Sequence, residues 1–261
     1  MSYQITEKEF NQLIGVKESY QAPTKLLEIL YDKKLREKVM LEFLQIVGYD
    51  LSSDNFTLYF QEVQSDRKTK KQDFTPESVS KLAAKIVNSD CNNRSYETYD
   101  GCAGTGGMTI AKWQEDRIKH TPFDYKPSFY IYTAEELSNA AIPFLLFNLI
   151  IRGMNAIVIH CDVLSRRSSG VFFIQNDYDD HLQFSSLNRL PYSESVAKEF
   201  GLLTDDEDGN WVNGFDEELY DEIIESPGVP EHVVKGLIEG VDMKPSELSK
   251  FVYKLCGVDY N

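Results

Sequence analysis

The sequence predicts an α/β fold, a parallel sheet with crossover helices behind a helical N-terminal subdomain. Three features predict it. Apolar residues recur at three- and four-residue steps in the first third, short β-like runs alternate with helical patterns from residue 96 to 175, and a glycine-rich turn joins the first run to the next helix.

Residues 5–15 and 23–48 read as helices, the second carrying Leu26, Leu27, Leu30, Val39, Met40, Phe43, Leu44 and Val47, with Pro23 suited to its first turn. A further amphipathic stretch, Phe56 to Val63, precedes the basic cluster Arg67, Lys68, Lys70 and Lys71. From residue 73 the pattern predicts helices over 76–87, 106–118 and 137–152, and strands over 96–99, 129–132, 156–160 and 171–175. Beyond residue 200, ten acidic residues lie between Asp205 and Glu225, interleaved with Trp211, Phe215, Leu219 and Tyr220. Short β-like pieces fall near 183–187 and 210–212, and a last amphipathic helix is expected near 245–256, with Leu248, Phe251, Val252 and Leu255 on one side. The expected organisation is a helical subdomain over 1–72, an α/β domain over 73–200 and an acidic, mostly helical extension over 201–261.

Composition narrows the function. The 261 residues carry 42 acidic against 27 basic side chains, a formal charge of −15, so a surface that grips nucleic acid all round is excluded and any DNA contact is local or supplied by a partner. The densest apolar stretch, Ala140 to Ile151, is interrupted by Pro143 and Asn148 and falls short of the roughly 18 residues a bilayer demands. The start, Met1-Ser2-Tyr3-Gln4, lacks the basic and apolar stretches of a signal peptide, so the expected location is the cytoplasm, with no membrane partner. Four scattered cysteines without a Cys-x-x-Cys pair, and four histidines without ligand spacing, predict neither a metal site nor a disulfide framework.

The chemistry centres on Tyr99-Asp100-Gly101-Cys102-Ala103-Gly104-Thr105-Gly106-Gly107-Met108, after a strand and at the head of a helix. There, glycines let backbone approach a ligand and present free amides. Glu136 ends the second expected strand, 36 positions beyond Asp100, where doubly wound folds place a carboxylate against a ribose diol. Asp162 ends the third strand, within reach of an adenine amino group. Three acids at three successive strand ends favour a nucleoside-containing ligand.

On these residues the sequence resembles the N6-adenine DNA methyltransferases. The likeness runs from Asp73-Phe74-Thr75-Pro76 through the Tyr99 to Met108 turn, Glu136-Leu137, Asn148-Leu149 and Gly153 to Asp162-Val163-Leu164. It is similar above all to the modification subunit of type I restriction-modification systems, over roughly residues 73–165. The resemblance implies a Rossmann-like fold and S-adenosylmethionine as cofactor. Thr75 and Pro76, with Phe74, would flank its methionine end. Asp100, Gly104 and Gly106, with Cys102, would form the floor; Glu136 and Leu137 would meet the ribose, and Asp162 and Val163 the adenine. It also implies a partner, because modification subunits borrow DNA specificity from another chain.

The family's transfer tetrapeptide, an Asp, Asn or Ser followed by two prolines and an aromatic, is absent, since no two of the nine prolines are adjacent. In that tetrapeptide the oxygen accepts from the exocyclic amine while the aromatic stacks on a flipped base. Two degenerate candidates stand in: Asn176-Asp177-Tyr178, directly after the fourth strand, and Asn188 to Tyr192, which keeps Pro191 and an aromatic but has an extra residue. Asn176 or Asn188 would accept the amine, and Tyr178 or Tyr192 would stack. Three functions follow: an adenine-N6 DNA methyltransferase working through a specificity partner, a pseudo-enzyme that docks on a basic protein surface or mimics DNA to inhibit a restriction or other nucleic-acid-binding complex, or a methyltransferase acting on a substrate other than DNA.

Overall fold

A computed structural model describes residues 3–65, 75–89, 97–205, 211–213, 215 and 219–226. The chain forms two compact units that interleave along the sequence. One comprises residues 1–93, 103–124 and 138–151 and is helical; the other comprises 94–102, 125–137 and 152–261 and holds the sheet.

In the helical unit, α1 (Glu7–Ile14) starts on a reciprocal cap between Thr6 and Glu9 and stops at Gly15, whose φ of 75° ends the helix. The single helix expected over 23–48 is two, α2 (Ala22–Tyr31) and α3 (Lys33–Ile46). Asp32 breaks it: its backbone is extended, and its carboxylate accepts the Leu35 amide at 3.0 Å as the N-cap of α3. Then come α4 (Thr57–Ser65), α5 (Glu77–Ser89), α6 (Gly107–Arg117) and α7 (Ile142–Ile151). Every residue of α7 is buried, as a helix apolar on all sides requires. The rings of Phe10, Phe56 and Phe144 meet with centroids 4.9 to 5.4 Å apart at the centre of this core. No described helix is long and apolar enough to cross a membrane.

In the sheet unit, β1 (Glu97–Asp100), β2 (Ile131–Glu136) and β3 (Ala156–Cys161) are parallel, as expected. The fourth strand is not. β4 (Ser168–Gln175) runs antiparallel to β3, and β5 (Ser186–Arg189) antiparallel to β4. The link from Cys161 to Ser168 is too short for a crossover, which needs a dozen or more residues, so the chain turns back in a hairpin. The spatial order β1-β2-β3-β4-β5 is therefore the chain order. It has no point of reversal, and β1 is an edge strand among the described residues. One face of this sheet is covered by α8 (Glu194–Glu199), whose Val196 and Ala197 pack with Leu202 on Ile159, Val171, Phe173 and Leu190.

Residues beyond 200 are not mostly helical where they are described. Leu203–Asp205 (β6) and Trp211–Asn213 (β7) pair as a small antiparallel ladder, and Tyr220 to Ser226 runs without helix along the main sheet. Ile224 bridges Asn188, and the Arg189 amide donates to the Ile223 carbonyl at 2.8 Å, so this segment protects the outer edge of β5. The basic cluster Arg67 to Lys71 and the helix expected at 245–256 lie outside the described residues.

Candidate functional site

Strand register decides which of the expected site residues share a surface. Asp100 pairs with Ala134, and Ala134 with Val158; one step further along, Glu136 pairs with His160, and His160 with Gly170. Residues two apart on a strand face the same way, so Asp100 and Glu136 lie on one face, at the carboxyl ends of adjacent strands. Glu136 is nearly buried, at 7% exposure. Asp162 lies at the same edge but about 13 Å further along the strand direction than Asp100.

Asp162 is already employed. It accepts the Leu164 amide at 2.9 Å and the Ser165 hydroxyl, which hold its carboxyl below the usual aspartate range, and its backbone pairs with Arg166 and Arg167 to close the β3–β4 turn. A carboxylate with about four acceptor positions still has capacity for a ligand amine. Val163 is half-buried, and Leu137 is exposed.

The glycine turn continues from Asp100 into α6. Gly104 and Gly106 have φ of 58° and 95°, the left-handed region that glycine adopts without strain. A Cβ at Gly106 would also lie 2.9 Å from Leu145 Cδ1. The Gly106 amide donates back to the Ala103 carbonyl at 2.8 Å, and Gly106 is the N-cap residue of α6. Cys102 is exposed.

Sequence reasoning missed what braces this turn. Asp54, buried in the helical unit, accepts the Thr105 hydroxyl at 2.6 Å, the Asn148 amide at 3.0 Å and the Phe56 backbone amide at 3.0 Å. Asn148 also donates to the Thr105 carbonyl at 2.7 Å. Thr75 and Pro76 are exposed, with the Pro76 carbonyl accepting the Val79 and Ser80 amides of α5; Phe74 lies outside the described residues.

On the opposite face, Glu135 is a buried hub. Arg166 grips it bidentately at 2.7 and 3.1 Å, the Tyr99 hydroxyl donates to it, and Cys161 Sγ lies 3.5 Å away. Burial first, then the Glu135 charge, pushes the Cys161 thiol up to about 12 and keeps it protonated. His160 is 2% exposed, and burial lowers its pKa against the smaller raising effects of the Leu137 carbonyl and Glu136. The unfolded chain therefore binds that proton more readily, and stability falls as pH drops from the ordinary histidine range towards the depressed folded value.

The structure does not bring the expected amine acceptors to the acids. Because β4 is antiparallel, Asn176 leaves it beside Asn155, at the start of β3, about 20 Å from the edge that carries Asp162. Its amide donates to the carbonyls of Gly153, Asp180 and Gln183, and its oxygen accepts the Asp180 amide. Gly153 is obligatory there, since a Cβ would meet the Gln183 oxygen at 2.6 Å. Tyr178 is exposed but shares that far edge. Asn188 lies mid-strand on the face opposite Glu136, because it pairs with Phe173, and Phe173 with Ile157. Its amide donates to the Phe173 carbonyl and Ser226 Oγ, and its oxygen accepts the amides of Glu225 and Ser226.

Pro191 and Tyr192 do follow the end of β5 that points to the Glu136 edge. The Tyr192 ring, however, carries the Arg189 guanidinium at 4.4 Å and Phe215 edge-on at 5.0 Å, and its hydroxyl bonds Ser169 and Tyr220. No base can stack on it without displacing these groups. Among the described residues no cluster of His, Cys, Asp or Glu could hold a metal ion. A sequence model of N-6 DNA methylases matches residues 49–190, just over half of the chain. No curated protein and no solved structure matches it.

Proposed function

Because the chain belongs to the N-6 DNA methylase family, we propose that it binds S-adenosylmethionine and serves adenine methylation in DNA through that cofactor. The observation that carries the reading is the placement of Asp100 and Glu136 on one face of adjacent strand ends, with the glycine turn continuing directly from the first. The donor set suits the group. A carboxylate at Glu136 can accept both hydroxyls of a ribose, and Asp162 keeps acceptor capacity for an adenine amine. Gly104 and Gly106 take the left-handed backbone this turn needs, and a Cβ at Gly106 would press on Leu145. When bound, the cofactor supplies an electrophilic methyl group.

A second reading concerns transfer itself. Asn176 and Asn188 are buried and saturated, one at the far edge and one on the far face, and the Tyr192 ring is occupied. This favours a cofactor-binding pseudo-enzyme acting through protein contacts, or a subunit whose partner completes the transfer site. The charge of −15 suits a basic partner surface.

Calorimetric titration with S-adenosylmethionine tests the cofactor, and Glu136→Ala is expected to weaken binding about 10- to 100-fold, the worth of hydrogen bonds to a charged acceptor. Peptide-mapped alkylation supplies an independent readout. Cys102 is expected to label in the free protein and to be protected by cofactor, whereas buried Cys161 labels in neither state. No heat of binding together with unprotected Cys102 would remove the reading. Labelled cofactor with mixed-sequence DNA, with and without a specificity subunit, separates transfer from binding alone.

A further inference from the structure

His160 bridges two segments far apart in sequence. Its Nε2 lies 3.0 Å from the carbonyl of Leu137, the residue after Glu136, and its Nδ1 lies 2.7 Å from the Tyr220 hydroxyl. A carbonyl only accepts, so Nε2 carries the proton and Nδ1 accepts from Tyr220. Tyr220 is itself held. Its amide donates to the Tyr192 hydroxyl at 3.1 Å, that hydroxyl donates to the Ser169 carbonyl at 2.9 Å, and its ring meets Phe172 edge-on at 4.8 Å. Room for the ring exists only because residue 170 is glycine, where a Cβ would come within 2.7 Å of it. A continuous hydrogen-bonded line thus runs from the β3–β4 hairpin through Tyr192, Tyr220 and His160 to the backbone beside Glu136.

We propose that His160 and Tyr220 are a positioning pair: Tyr220 reinforces the histidine tautomer that the Leu137 carbonyl selects, and the histidine steadies the Leu137 carbonyl and with it the carboxylate of Glu136 for a ribose diol. The proposal rests on the cofactor reading above. It gives part of the acidic C-terminal segment a role inside the binding site, since Tyr220 comes from the stretch whose neighbours Phe215 and Ile224 bridge Ser168 and Asn188. Leu137 is 62% exposed, so its side chain does little to hold this backbone, and the carbonyl contact adds an anchor just past the point where the β2–β3 ladder ends at Glu136. Position 160 needs a donor of fixed direction, which a freely tautomerising imidazole would supply only part of the time.

The test uses the full chain with three variants, two readouts and S-adenosylmethionine as the probe. Long-range nitrogen–proton spectra of the imidazole are expected to show the Nε2–H form in the wild type and a mixture of tautomers in Tyr220→Phe. By titration, His160→Ala is expected to bind about tenfold more weakly, and His160→Gln, whose amide can donate along the same line, to recover most of that loss. Tyr220→Phe is expected to weaken binding about threefold with the protein still folded, which keeps the proposal testable where His160→Ala does not fold. Wild-type binding that is unchanged in His160→Ala or Tyr220→Phe, or an Nδ1–H form in the wild type, overturns the positioning role and leaves the cofactor reading standing. A wild type that binds no cofactor overturns both.

Discussion

Truncating Arg166 to alanine is expected to lower stability by about 3 kcal/mol, read as a shift of the urea midpoint by circular dichroism. The guanidinium is the bidentate partner of Glu135, whose side chain is 3% exposed, and removing one member of a buried pair strands the other charge at a cost of roughly 3–5 kcal/mol. The lower end applies because Arg166 is itself 28% exposed and water can replace part of it. Two further bonds are lost, to the carbonyls of Phe200 and Gly201 at the end of α8. Adding Glu135→Gln to Arg166→Ala removes the stranded charge and is expected to recover more than half of the deficit. A single variant within about 1 kcal/mol of wild type, the usual worth of an exposed pair, would show that Glu135 is solvated.

Asp54→Ala is expected to cost a similar amount, about 3–4 kcal/mol. Three donors lose their acceptor in a dry site: the Thr105 hydroxyl, the Asn148 amide and the Phe56 backbone amide, each worth roughly 1–3 kcal/mol when left unsatisfied and not fully additive. For a chain of this size each kcal/mol corresponds to about 2–4 °C of melting temperature, so calorimetry resolves the change readily. Asp54→Asn keeps the shape and one acceptor oxygen and is expected to lose less. Since Thr105 sits inside the glycine turn, both variants are also expected to weaken cofactor binding by more than Asp32→Ala, which removes a cap remote in sequence from the turn. Equal effects on cofactor would disconnect Asp54 from the turn.

Much of the fold was legible where pattern and length agree. The helices at α1, α5 and α6 and the strands β1 to β3 show their periods, and the turn from Asp100 to Gly107 shows its glycines. Where periodicity continues across a break it misleads: the apolar steps of α2 and α3 run on through Asp32, and only its capping chemistry, an Asp three residues ahead of Leu35, marks the join. The direction of β4 was readable from the short link after Cys161, yet alternating strands and helices upstream suggested another crossover. Charge masked the extended character of Tyr220 to Ser226, because ten acids in one stretch read as a solvated helix while Tyr220 and Ser226 are buried.

The site was half legible for the same physical reason. Asp100 and Glu136 announce themselves as acids at strand ends. Asp54, Thr105 and Asn148 meet only in three dimensions, across up to 94 positions, and His160 is a lone histidine in an apolar strand. Asn176 and Asn188 lie apart from these acids because the place of a motif after a strand depends on the strand's direction, and β4 is antiparallel.

The hairpins that join β3, β4 and β5 have a kinetic consequence. Their contacts close loops of six and ten residues, whereas β1 and β2 meet only after the 30 residues between Asp100 and Ile131 have been gathered in. Loop-closure entropy therefore orders assembly: the meander condenses early, and the strands bearing Asp100 and Glu136 are recruited onto it last.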